Sequence, residues 1–254
     1  MYSHALIAGF IGLFWGSFLY VVCVRFGKWK SIAVSRSHCP HCHHTLEWYD
    51  LIPILSFIML SGRCRYCHTS ISPYYPFVEI VTGLSTFLLW LALSPHGIRE
   101  YLFTILVVLF AYAVLLMALQ DHASMNVSDE LFIAAAIIAL LALFVTPHTL
   151  SDTILGLLVA APFLIMVSLS HETWMGWGDV FIAAPAGLVL GFPLAWVWLY
   201  VAFIVGALWG IVLILSGKKK RRDPVAFVPI LYVSFIITVV WGDVLINWYV
   251  RATL

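Results

Sequence analysis

Asp121 and Asp179 are the residues of this sequence best suited to chemistry by type and position. Asp121 stands in Leu119-Gln120-Asp121-His122, just beyond the apolar run 101–119. Asp179 closes Gly176-Trp177-Gly178-Asp179, shortly after the apolar run 151–169. The chain has only 12 acidic residues in 254, and ionisable groups at or within a membrane are costly and usually functional. Two carboxylates that converge can share one proton. The ionised one takes a proton from water, and the protonated one donates a hydrogen bond to a carbonyl under attack. Such a pair titrates as a unit. Gly176 and Gly178 predict a tight turn and a close approach of another backbone to Asp179. Either acid alone reads as an ordinary interfacial helix-end carboxylate; the pairing favours catalysis.

A second constellation is built from sulfur. Cys39-Pro40-His41-Cys42 and Cys64-Arg65-Tyr66-Cys67 are two C-x-x-C pairs. That spacing lets both thiolates of a pair bind one ion, and two pairs complete the tetrahedron of a structural Zn2+. So small a loop buries little apolar surface, so a metal supplies much of its folding energy. The competing reading is reduced or redox-active thiols. His38, His41, His43, His44 and His68 crowd the same segment and are expected at its surface, since four cysteines already suffice. Cys23 falls inside an apolar run and is expected to be a packing residue.

These groups must be positioned by membrane helices. The chain is 63% hydrophobic and 10% charged, whereas soluble domains are about 25% charged. We expect an all-α polytopic membrane protein with about eight spans, given ~20 apolar residues for each. The segments fall near 5–24, 77–93, 101–119, 131–146, 152–169, 180–190, 195–216 and 225–248. The expected organisation is a first helix (1–24), a tetracysteine module (25–76) and a seven-helix core (77–254), with no internal repeat apparent. The first helix lacks a basic leader and a cleavage site, and reads as retained.

Eleven of the 13 basic residues lie in the loops after the first and seventh segments: Arg25, Lys28, Lys30, Arg36, Arg63 and Arg65, then Lys218–Arg222. Only Arg99 and Arg251 lie elsewhere. The positive-inside rule makes odd-numbered loops cytoplasmic and both termini external. Asp121, Asp179 and the cysteines then share the cytoplasmic face, where disulfides are disfavoured. The basic run also attracts anionic lipid, and no nucleic-acid partner is expected.

The motifs, taken in order, resemble the type IV prepilin peptidases. Gly16-Ser17-Phe18-Leu19-Tyr20-Val21-Val22 followed by Arg25 is similar to that family's opening signature. Ser35-Arg36-Ser37-His38-Cys39-Pro40-His41-Cys42, Trp48–Ser56 and Gly62–Cys67 continue it, and Tyr75-Pro76-Phe77-Val78-Glu79 leads into the second helix. Asp121, the Gly176–Asp179 turn and Phe227-Val228-Pro229 resemble the remaining motifs. The resemblance implies an aspartic membrane endopeptidase of the bacterial inner membrane, with Asp121 and Asp179 as its catalytic pair. It implies cleavage of the basic leader of prepilins or pseudopilins, after glycine, on the cytoplasmic side. In many members S-adenosylmethionine then methylates the new N-terminus. Gly16, Arg25 and Glu79 mark the region that the resemblance links to methyl transfer.

Tyr20, Phe26, Gly27 and Ser128 depart from the family pattern, as does Phe181, where a lysine usually stands. The first three bear on methylation and Phe181 on pH dependence. Two alternatives accompany the peptidase reading. One is an inactive zinc-bearing assembly paralogue. The other is a carboxylate-based transporter, disfavoured because both aspartates map to one membrane face rather than the midplane.

Overall fold

All eight apolar segments are helical in the computed structural model, which describes residues 2–27, 36–173, 175–220 and 223–253. Lys28, Lys30, Ser35, Arg221 and Arg222 lie outside the described residues. The helices are α1 (Tyr2–Val24), α2 (Leu55–Met59), α3 (Tyr74–Leu93), α4 (Ile98–Ser124), α5 (Asp129–Ala142), α6 (Leu150–Leu157), α7 (Ala160–Ser170), α8 (Trp177–Leu190), α9 (Leu194–Leu215) and α10 (Val228–Thr253). A 3₁₀ turn, Trp48–Leu51, precedes α2. The only β-pairings among the described residues are the isolated bridges His38–Thr45 and Arg63–Ser70. Among the described residues six candidate spans, not the eight expected, are long and apolar enough to cross a membrane: α1, α3, α4, α6 with α7, α9 and α10. The fold is therefore that of an all-α, multi-pass membrane protein. Helices α5 and α8 have 14 residues each, about 21 Å at 1.5 Å per residue.

The segment expected as one helix over 152–169 is two, α6 and α7, separated at Leu158 and Val159. Pro162 explains the break: it has no N–H, and its ring clashes with the carbonyl four residues back, at Leu158.

The chain divides into two units, Met1–Leu91 and Ala92–Leu254. In the first, α1 and α3 run antiparallel along a seam of small residues. Gly9 faces Gly83 and Phe87, Gly12 faces Thr86 and Gly83, and Gly16 faces Glu79 and Thr82. Such residues let two membrane helices approach backbone to backbone. The approach is tightest at Gly16, where an added Cβ would lie 2.6 Å from the Glu79 Cα. The hydroxyls of Thr82 and Thr86 donate back to the Val78 and Thr82 carbonyls, so the seam leaves neither unsatisfied.

In the second unit the helices zigzag between two ends. At one end Gln120 ties α4 to α5, its Oε1 accepting from the Ser128 N–H and hydroxyl, both at 3.0 Å. The start of α10 meets α4 there too, through Val228 and Asp121. At the opposite end Arg99 donates to the Val145 and Thr146 carbonyls at 3.3 and 2.8 Å, and the Phe192 N–H donates to Asp152 O at 2.9 Å. Between the ends lies an apolar core with Phe110, Phe163, Trp198 and Phe235 fully buried. The Trp198 indole N–H still finds a partner, the Leu231 carbonyl at 3.1 Å.

Candidate active site and metal centre

Both aspartates belong to the second unit and to the same end of it. Asp121 lies in the last turn of α4, whose C-cap Met125 takes a left-handed conformation and returns its N–H to Asp121 O. Asp121 Oδ2 accepts the Val228 backbone N–H at 3.1 Å. That N–H is an unpaired donor at the start of α10, the kind every helix N-terminus presents. Asp179 lies in the first turn of α8, whose N-cap is Gly176, and is only 7% exposed. Each carboxylate thus meets the N-terminal end of a helix, where negative charge is favoured. Asp121 ends α4, and Asp179 opens α8 beside Phe132 at the start of α5, so the two acids that the sequence singled out lie at the same end of the second unit.

The two glycines of the turn differ in what they do. Gly176 is extended, with φ −88°, and a Cβ there would meet Gly178 N at an ordinary 4.0 Å. Gly178 is helical, and a Cβ there would meet the Phe132 ring of α5 at 3.2 Å. Its small size therefore seats the first turn of α8 against α5. Beside this turn a groove of about 650 Å³ runs between α5 and α8, lined by Phe132, Ala136, Leu140, Phe181, Ala184 and Leu188, with Asp129 among its residues. Phe181 packs on Phe132 and Trp177, with ring centroids 5.6 and 6.3 Å apart.

The sulfur cluster lies in the first unit. The Sγ atoms of Cys39, Cys42, Cys64 and Cys67 are all within 4.8 Å of one another, and those of Cys39 and Cys67 are 3.9 Å apart. Ligand bonds of about 2.3 Å place tetrahedral sulfurs about 3.8 Å apart, so the set fits a four-coordinate metal. The Thr69 hydroxyl, 3.4 Å from Cys67 Sγ, helps pull that thiol down to about 6, toward the thiolate form that binds metal. His41, His43, His44 and His68 are exposed and His38 half-buried. None belongs to the cluster.

The backbone around the cluster shows a repeat that was not apparent in the sequence. Cys39 N–H donates to His44 O, and His43 N–H to Cys39 O. Twenty-five residues on, Cys64 N–H donates to Thr69 O, and His68 N–H to Cys64 O. His43 and His68 both take left-handed backbones, with φ of 57° and 58°. The module is thus two copies of one knuckle. Its sequence trace is the shared C-x-x-C-H.

Asp50 was not singled out by the sequence reading beyond its place in a motif. Its buried carboxylate accepts from Arg65 Nε at 2.8 Å and the Tyr66 hydroxyl at 3.4 Å, tying the 3₁₀ turn to the second knuckle. Of the residues linked to methyl transfer, Gly16 and Glu79 are in contact, and Glu79 is buried at 6% exposure. Its Oε2 accepts the Ile54 N–H at 2.8 Å. Arg25 lies just past α1, its backbone N–H donating to the Val21 carbonyl at 3.0 Å.

Comparison with known proteins agrees with these motifs. The chain is 32% identical over 246 residues to the prepilin leader peptidase/N-methyltransferase of Bacillus subtilis (strain 168), covering 96% of both chains. The chain belongs to the type IV leader peptidase family. The description "Type IV leader peptidase family" matches residues 108–211, which include both aspartates, and "Bacterial Peptidase A24 N-terminal domain" matches residues 10–93, which include the cysteine module. Similarity extends to the prepilin leader peptidase/N-methyltransferase of Aeromonas hydrophila, 31% identical over 87% of this chain and 76% of that one. It extends also to that of Myxococcus xanthus (strain DK1622), 34% identical over 81% of this chain and 62% of that one. No solved structure matches. As a member of this family the chain is a peptidase. Tyr20, where it departs from the family pattern, packs against Tyr74 and Tyr75, with ring centroids at 6.5 and 4.4 Å.

Proposed function

We propose that this protein is an aspartic endopeptidase of the bacterial inner membrane that removes the basic leader of a prepilin or pseudopilin, cutting after glycine at the cytoplasmic face. The observation that carries this reading is the placement of Asp121 and a buried Asp179 at one end of the second unit. In the proposed reaction one aspartate, as carboxylate, takes a proton from the attacking water. The other, protonated, donates to the scissile carbonyl oxygen. The α10 amide at Val228 holds the Asp121 carboxylate in position. The four cysteines hold one Zn2+ as a structural ion. The basic loops put the zinc module and active site in the cytoplasm and both termini in the periplasm. The proposed functional division is the first helix (1–24), the zinc module (25–76) and the peptidase core (77–254).

A second activity, S-adenosylmethionine-dependent methylation of the new N-terminus, accompanies cleavage in this proposal. It rests on the names of the relatives and on the Gly16–Glu79 contact in the first unit, away from the aspartates in sequence. The test is reconstitution of the purified protein with a prepilin in membranes, read by mass spectrometry. Shortening of the pilin at the glycine supports the peptidase reading. An intact leader, with the zinc module folded, overturns it in favour of a scaffold. A cleaved but unmethylated pilin in the presence of S-adenosylmethionine removes the methyl transfer alone. Reporter fusions test the orientation, which a cytoplasmic C-terminus would overturn.

A further inference from the structure

We propose that α2 is a membrane-interface element: Leu55, Ile58 and Met59 insert into the boundary between lipid headgroups and acyl chains and hold the cysteine module against the bilayer.

Depth is the first argument. The cap of α2, Ile54, donates its N–H to Glu79, which lies five residues inside α3. At 1.5 Å per residue, that is about 7.5 Å beyond the start of the helix. Gly16 packs on the same Glu79 and lies eight residues before the end of α1, about 12 Å at the same rise. Helix α2 therefore starts within one side-chain reach of the interior of two candidate spans. Interfacial helices bury their apolar face to about 5–10 Å.

Side-chain pattern is the second. Leu55, Ile58 and Met59 are spaced i, i+3, i+4 and share one face of α2. They are 50, 66 and 73% exposed, an unfavourable face to leave in water. Trp48 and Leu51, three apart on the preceding 3₁₀ turn and so nearly eclipsed, are exposed as well. Tryptophan is enriched at the membrane–water interface.

Hydrogen bonding is the third. A segment at this depth must satisfy its own backbone. Ile54 N–H has Glu79, Leu55 N–H has Pro53 O, Ser56 N–H has Ile52 O, and Ile58 N–H has Ile54 O. Leu60 N–H has Ser56 O, and Gly62 N–H folds back to Phe57 O. Charge agrees: residues 25–76 carry six basic side chains against Glu47 and Asp50, which favours an anionic lipid surface.

The experiment places the photocrosslinking residue p-benzoylphenylalanine at position 58 or 59 of the full chain, in nanodiscs of phosphatidylethanolamine and phosphatidylglycerol. Position 10, exposed on α1, is the lipid-facing control, and position 41, exposed on the first knuckle, is the aqueous one. Zinc content confirms that each variant retains its module. Irradiation should give lipid adducts at 58, 59 and 10 and none above background at 41. Adducts at 10 but not at 58 or 59, or adducts at 58 and 59 only to protein, would overturn the proposal.

Discussion

Replacing Gly16 by alanine adds one carbon and two hydrogens, yet the structure makes it a severe change. The new Cβ would stand 2.6 Å from the Glu79 Cα and 3.0 Å from both Thr82 Oγ1 and Val78 O. Carbon atoms rest about 3.5–4.0 Å apart, so α1 and α3 must separate by about 1 Å. Two of the opposing atoms are backbone, and the third, the Thr82 hydroxyl, is already bonded to the Val78 carbonyl. None can rotate away. Overpacking of this kind costs about 1–3 kcal/mol, which lowers the closed-to-open ratio of the seam roughly 5- to 150-fold. The displacement also pulls on the Glu79–Ile54 bond, so amides around Ile54–Gly62 should exchange faster. Hydrogen exchange by mass spectrometry in nanodiscs measures this. Gly210→Ala is the matched control: no atom lies within 4 Å of the Cβ it would add, and alanine exceeds glycine in helix propensity by about 1 kcal/mol. That variant should be neutral or more protected. Unchanged exchange in Gly16→Ala, or equal losses in the two variants, would refute the steric argument.

Asp121→Asn and Asp179→Asn should each lower leader cleavage by about 10²–10⁴-fold or more while inserting normally. Asp129→Asn should be far milder, and near-normal cleavage by either catalytic variant would refute the carboxylate mechanism. Purified protein should contain about one zinc, because four thiolates satisfy one tetrahedral ion. Paired Cys→Ser changes or strong chelation should release it and expose the module to protease, whereas a zinc-free, protease-resistant module would contradict the assignment. Asp50→Ala should weaken metal retention about 10- to 100-fold, the usual effect of losing a group that supports the ligand-bearing backbone. Competition with a chromogenic chelator measures it, and unchanged affinity would show that Arg65 and Tyr66 need no anchor.

What the sequence revealed is what is written in side-chain type and apolar run length. The helices, the four cysteines and the two aspartates were all legible, because hydrophobic runs, C-x-x-C spacing and isolated acids are chemical signals. What it concealed is carried by the backbone. The Val228 N–H that grips Asp121 has no side-chain signature, since any non-proline residue offers that donor. The knuckle repeat was invisible as residue identity because only C-x-x-C-H is shared, and the rest is hydrogen bonding plus a left-handed histidine. The break between α6 and α7 hid within an unbroken apolar run, although Pro162 announces it once the carbonyl four residues back is considered. Glu79 is marked in the sequence by its motif, but its partner, Ile54, lies 25 residues away and could not be read from periodicity.

The hydrogen bond from Val228 to Asp121 also has a consequence for biogenesis. It joins positions 107 residues apart, and its donor belongs to α10, the last of the described helices. A nascent chain with Asp121 and Asp179 already in the membrane still lacks the amide that orients the first of them. The site is therefore completed only after residue 228 has left the ribosome. The peptidase would thus remain incompetent until α10 is made, and a chain truncated before α10 would be inserted but inert.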